Sequence, residues 1–176
     1  MSVDVFLNAC RDNGVTLEHL TDIAELPNAL LRAADEVGAR YIVLEESLAN
    51  EMSYLGLSVP PKVLPHKRAE LESLKPHDNR SLVVRVAGVA IAELGAAVLW
   101  GDEAIQKATV LAEHLAVIVR KVAIAGIAEA AEVIGHVMKE RGGPVHIVAG
   151  PSMTRDIEHV RVVGVHGPVT LRFLVM

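Results

Sequence analysis

Residues Val15–Leu44 read VTLEHLTDIAELPNALLRAADEVGARYIVL, and this stretch decides the fold class. Val15-Thr16-Leu17 is β-prone. From Leu26 to Val37 apolar residues recur at helical spacing (Leu26, Leu30, Ala33, Ala34, Val37), with Pro27 tolerated in the first turn and Gly38 as the stop. Tyr41–Leu44 is a compact apolar strand. Strand, crossover helix and strand make a parallel-sheet unit, so the expected class is α/β with a mostly parallel sheet.

Working outward, Val3–Asn13 reads as a short helix with Val5, Phe6, Ala9 and Cys10 on one side and Asn13-Gly14 as its end. A helix is expected from Glu46 to about Leu55. The segment 56–80, with Pro60, Pro61 and Pro65, reads as an irregular excursion within a single domain spanning residues 1–176. Leu82–Val86 and Ala96–Trp100 are predicted strands, with Val89–Glu93 between them as a tight turn or short helix. Asp102 caps a predicted helix through Val110. After a buried strand at Leu115–Val119, one long helix is predicted over Val122–Arg141, with Ile124, Ile127, Ala128, Ala131, Ile134 and Met138 as its apolar stripe. Gly142-Gly143-Pro144 stops it, and Leu171–Val175 is the last strand.

Composition narrows the function. Of 176 residues, 51% are hydrophobic and only 3% aromatic, so the core is aliphatic and large enough for one domain. The opening MSVDVF lacks a basic region, and charges interrupt every long apolar run, which argues against a signal peptide or membrane span and for a cytoplasmic setting. Cys10 is the single cysteine, so the chain forms no internal disulfide and no Cys-rich metal or iron–sulfur site. A net charge of −5 argues against nucleic-acid binding. That charge is uneven: residues 1–58 carry ten acids against three arginines, whereas residues 139–176 carry five cations against three acids. The cationic end suits an anionic ligand, or is a solvated surface.

It coincides with the densest cluster of turn and polar residues, Val145–Val169, VHIVAGPSMTRDIEHVRVVGVHGPV. A Gly150-Pro151-Ser152 turn directly after a short apolar strand would expose backbone N–H groups at a strand's C-terminal end, where open α/β sheets place ligands. Gly150 permits close backbone approach. Ser152 and Thr154 either donate to a phosphate or carboxylate or cap a helical turn. The spacing matches neither a Walker loop nor a dinucleotide turn. His166, between Gly164 and Gly167-Pro168, is a candidate acid, base or anion ligand, with a turn-holding histidine as the alternative. Ser152, His166 and Asp156 can be written as a triad, although Asp156 is close in sequence to Ser152. Glu132 and His136 lie one helical turn apart on a polar face and do not make a metal site.

Gly150-Pro-Ser-Met-Thr-Arg-Asp-Ile-Glu158 followed by Gly164-Val-His-Gly-Pro168 resembles the C-terminal signature of the LUD-domain family. Ile91-Ala-Glu-Leu-Gly-Ala-Ala-Val-Leu99 is similar to a second family segment, and the resemblance spans nearly the whole chain. It implies a three-layer α/β fold like those of CoA transferases and ribose-5-phosphate isomerase. It also implies an accessory part in oxidising L-lactate to pyruvate beside partner subunits that carry iron–sulfur clusters, with no cofactor in this chain. Gly150, Ser152, Thr154, Arg155, Asp156, Gly164, His166 and Gly167, with Glu93 and Gly95 from the second segment, are the candidate ligand-binding residues. His166 and Asp156 are the candidates for catalysis. Leu94, Ala96, Ala112 and Met153 depart from the family's Thr, Thr, Pro and Arg, which removes polar donors. A stand-alone enzyme or sensor for a carboxylate or phosphate is the competing reading.

Overall fold

The computed structural model describes residues 3–58, 63–64, 81–155, 161–163 and 167–176, with backbone alone at 63–64, 153–155 and 161–163. Most of the connection at 56–80 lies outside the described residues, as do Asp156, Gly164 and His166.

The expected α/β architecture with a mostly parallel sheet is observed. In chain order the helices are α1 (Val3–Asp12), α2 (Leu26–Glu36), α3 (Glu46–Tyr54), α4 (Glu103–Leu111) and α5 (Ile127–Arg141). Six strands form an all-parallel sheet: β1 (Thr16–His19), β2 (Tyr41–Leu44), β3 (Val63–Leu64), β4 (Ser81–Val86), β7 (His114–Val119) and β12 (Thr170–Val175), in the order β1-β12-β7-β4-β2-β3. The central strands β4 and β7 are buried on both faces, hence their nearly unbroken apolar sequences, SLVVRV and HLAVIV.

On one face Leu82, Val84, Ala116 and Ile118 pack against Leu26, Leu30 and Ala33 of α2 and Leu48 and Met52 of α3. On the other, Val83, Leu115, Val117 and Phe173 meet Phe6 and Cys10 of α1 and the inner side of a second sheet. The chain's two phenylalanines stack there, Phe6 on Phe173, with centroids 5.9 Å apart and planes at 6°. The buried stripe of α1 is Phe6, Leu7 and Cys10, whereas Val5, expected on it, is 40% exposed. Burial pushes the Cys10 thiol up to about 12, against a smaller opposing effect of Arg11, so this cysteine is a core residue as its sequence position indicated.

The second sheet corrects three expectations. Val89–Ile91 is neither turn nor helix but a strand, β5, that forms a hairpin with β6 (Ala96–Leu99). The predicted long helix begins only at Ile127. Before it lie a 3₁₀ turn, Lys121–Ala123, and a strand β8 (Ile124–Ala125) that pairs in parallel with β5. Pairing with β5 outweighs the helical periodicity of residues 122–126, because Ala92 N–H also finds the Ala125 carbonyl at 2.8 Å. The buried face of α5 is accordingly Ala130 with Val133 and Ile134, while Ile127 and Met138 of the predicted stripe are about half exposed. Third, β9 (His146–Val148) is not a strand of the parallel sheet. It pairs antiparallel with β6 at the edge of the small sheet, whose order is β8-β5-β6-β9. A separate hairpin pairs β10 (Met153–Arg155) with β11 (Arg161–Val163). No helix of the described residues is long and apolar enough to cross a membrane.

Candidate functional site

Because β9 lies outside the parallel sheet, the Gly150-Pro151-Ser152 turn does not reach the carboxyl ends of the parallel strands. It reaches their opposite ends. Ser152 N–H donates to the Pro168 carbonyl at 2.7 Å, and Val169 N–H donates to the Glu113 carbonyl at 2.8 Å, so the turn rests where β7 and β12 begin. A Cβ on Gly167 would sit 3.3 Å from Ser152 Cβ, so the Gly-Pro-Ser and His-Gly-Pro segments touch. They close one side of a cavity of about 230 Å³.

Its walls come from three directions. Thr109 and Val110 of α4 with Leu115 of β7 form one, the run His146–Gly150 forms the second, and Ser152, Gly167 and Pro168 form the third. Val110, Leu115, Ile147 and Val148 make the lining largely aliphatic. Thr109, His146 and Ser152 supply its polar side chains, and His146 is the titratable group among the described lining.

Thr109 connects the cavity wall to the most buried charge described. Arg85, on β4, is fully enclosed, and its guanidinium donates to Glu45 Oε2 at 2.9 Å, to the Trp100 carbonyl at 2.7 Å and to Thr109 Oγ1. Glu45 Oε2 also accepts from Val86 N–H at 3.1 Å. Asp102 caps α4 as expected, accepting from Ile105 N–H at 2.9 Å. The cation thus fixes α4, and with it one wall, to the parallel sheet.

Of the sequence-derived candidates, Gly150, Ser152 and Gly167 meet at the cavity. Thr154 and Arg155 lie on β10, described in backbone only. Glu93 and Gly95 are elsewhere and have other work. Glu93 Oε2 accepts from Ile127 N–H at 3.1 Å, capping α5. Gly95 lies against α1, where an added Cβ would come 2.5 Å from Cys10 N. Gly150 approaches the same helix end, with a Cβ 2.8 Å from the Asn13 carbonyl oxygen. Asn13 Nδ2 donates to the Leu94 carbonyl at 2.8 Å, so the end of α1 is held between the two motif glycines.

The departures Leu94, Ala96 and Ala112 do not line the cavity. Ala96 is buried beneath α5, and Ala112 holds φ −65°, the value proline would impose. The expected cationic surface is also partly spent: Arg172 pairs with Glu18 at 2.8 Å and with Glu36. Thr109 and Leu115 carried no sequence signal, since nothing in a helix or strand pattern shows that two such elements end at one cavity. Among the described residues no group of His, Cys, Asp or Glu could hold a metal ion.

Beside the cavity, His114 Nδ1 lies 2.9 Å from Thr170 Oγ1. Burial lowers its pKa from the ordinary 6.5, with Glu113 opposing. The unfolded chain therefore binds this proton more readily than the folded one. The associated stability is present above about 6.5 and is lost as pH falls through the lowered value. Urea unfolding of wild type and His114→Gln from pH 7.5 to 5 is expected to show a steeper acid loss in the wild type; parallel curves would contradict it.

No family model matches the chain. A lactate utilization protein C of Deinococcus radiodurans is 29% identical over 168 residues, which cover 94% of this chain and 74% of that protein. The Escherichia coli K12 protein YkgG is 28% identical over 184 residues, covering 98% and 78%. Among solved structures, a DUF162 family protein from Deinococcus radiodurans shares the fold, with a TM-score of 0.69 at 24% identity over 98% of this chain and 94% of that one.

Proposed function

Because the chain is a divergent relative of lactate utilization protein C, as its LUD-domain resemblance implied, we propose that it serves L-lactate utilisation. In this reading it is an accessory subunit beside iron–sulfur partners that carry the electrons of lactate oxidation, and it works in the cytoplasm. The carrying observation is the similarity to a protein of that name along 94% of the chain. That Cys10, the single cysteine, is buried in the core supports assigning the clusters of this reading to partner subunits.

We place a small organic acid in the cavity between α4 and β9. Aliphatic walls suit its carbon chain, while Ser152 and His146 face its oxygens. Deleting the gene is expected to abolish growth on L-lactate as sole carbon source, with restoration by the wild-type copy. Undiminished growth would overturn the reading. The largely aliphatic cavity with Ser152 and His146 in its lining also favours a second reading, a stand-alone binder of small carboxylates, which predicts ligand binding without any need of the gene for growth on lactate.

A further inference from the structure

β9 ends the small sheet, and its residues line the cavity. Successive residues of a strand point to opposite faces, so a cavity lying on one face of β9 would meet only alternate side chains. Here five residues in a row, His146 to Gly150, line it. The cavity therefore runs along the strand's open edge, against its backbone.

The pairing pattern identifies the backbone groups that point there. The Val98 carbonyl of β6 accepts from Gly88 N–H at 3.0 Å, so the backbone groups of Val98 face β5. Ile147 stands directly opposite Val98, on the other side of β6. Two such residues of an antiparallel ladder turn their N–H and C=O groups away from each other, and the flanking pairs, Ala97 with Val148 and Leu99 with His146, hold the bonds. Ile147 thus presents one donor and one acceptor outward. The run Val145–Ala149, VHIVA, carries no lysine or proline to blunt this edge.

The facing wall defines what fits. Thr109 donates its hydroxyl to the Ile105 carbonyl at 2.7 Å and accepts from Arg85, so its polar group is engaged within the protein. With Val110 and Leu115 it forms a wall suited to an alkyl side chain. Because this wall stands across from β9, a single extended chain reaches the edge, whereas the edge of a second sheet would meet α4. A ligand with acceptors alone would leave the Ile147 carbonyl unanswered, but a peptide main chain supplies both donor and acceptor.

We propose that this groove takes an extended segment of a partner protein, which adds to β9 as a fifth strand of the small sheet and sets a Val, Ile or Leu side chain against Thr109, Val110 and Leu115. The segment lies about 4.8 Å from β9. It donates to the Ile147 carbonyl and accepts from Ile147 N–H, so the residue paired with Ile147 is not proline. This docking does not depend on placing a small acid in the cavity, and a seated segment would exclude one.

Three blocked heptapeptides, N-acetyl-Lys-Thr-X-Thr-X-Thr-Lys amides with X as Val, Ile or Leu, test it by NMR on the full chain labelled with nitrogen-15. At least one is expected to bind and to slow hydrogen exchange of the Ile147 amide. Only one edge of the peptide faces β9, so of its two alternately N-methylated forms one is expected to bind about tenfold more weakly than the other. Ile147→Pro removes the outward N–H and no ladder bond; it is expected to melt close to the wild type and to weaken binding, again about tenfold. Val110→Lys, at a position 46% exposed, is the second variant and is expected to lose binding while folding normally. Absence of binding by all three peptides, or equal binding by both methylated forms, overturns the proposal. So does protection of the Ile147 amide that rises with the concentration of the protein alone, which would make a second copy the occupant.

Discussion

Glu45→Ala is expected to destabilise the protein by about 3 kcal/mol, read as a shift of the urea midpoint at constant slope. The guanidinium of Arg85 is fully buried, and Glu45 is its anionic partner at 2.9 Å. Removing the carboxylate strands a cation in an apolar interior, where its remaining acceptors are the carbonyls of Trp100 and Ile105 and the hydroxyl of Thr109. It also leaves Val86 N–H without its acceptor. Removing both charges should cost much less, because the penalty lies in the uncompensated ion and not in the lost pair. Glu45→Ala combined with Arg85→Met is therefore expected to recover most of the loss. A single variant as stable as wild type, or a double variant worse than the single, would refute this account of how α4 is anchored.

Gly95→Ala carries a comparable effect by another route. The residue holds φ +55°, a conformation costing an L-residue about 1–2 kcal/mol, and the new methyl would lie 2.5 Å from Cys10 N and 2.6 Å from Ala9 C. Both atoms belong to the backbone of α1 and cannot swing aside. A loss of at least about 3 kcal/mol is expected, among the larger single-residue effects. Gly14→Ala is the control: φ is +75° and nothing lies within 4 Å, so only the conformational cost applies. Should Gly95→Ala melt with the wild type, the packing role fails and a ligand role for the Leu94–Gly95 turn regains its standing.

These two residues show why part of the molecule was legible and part was not. Arg85 sits in a strand that reads as SLVVRV, and a lone arginine in an apolar run looks like an interruption. Its acceptors come from Glu45, Trp100, Ile105 and Thr109, positions that periodicity cannot bring together. Gly95 looked like part of a ligand loop because it falls in a motif. Its actual constraint is the closeness of a helix from the other end of the chain.

Sequence alone determined the elements whose burial pattern is complete within one segment. The strands Tyr41–Leu44, Ser81–Val86 and His114–Val119, the helix Leu26–Glu36 and the Asp102 cap all express local periodicity and local hydrogen bonding. Tertiary structure decided the sheet to which each short strand belongs. Two or three residues, as in Ile124–Ala125 or His146–Val148, carry too little pattern to specify a partner, and the pairing energy comes from a distant segment. By giving β9 to the small antiparallel edge, that pairing moved the candidate site to the amino-terminal ends of β7 and β12 and lined it with Thr109 and Leu115.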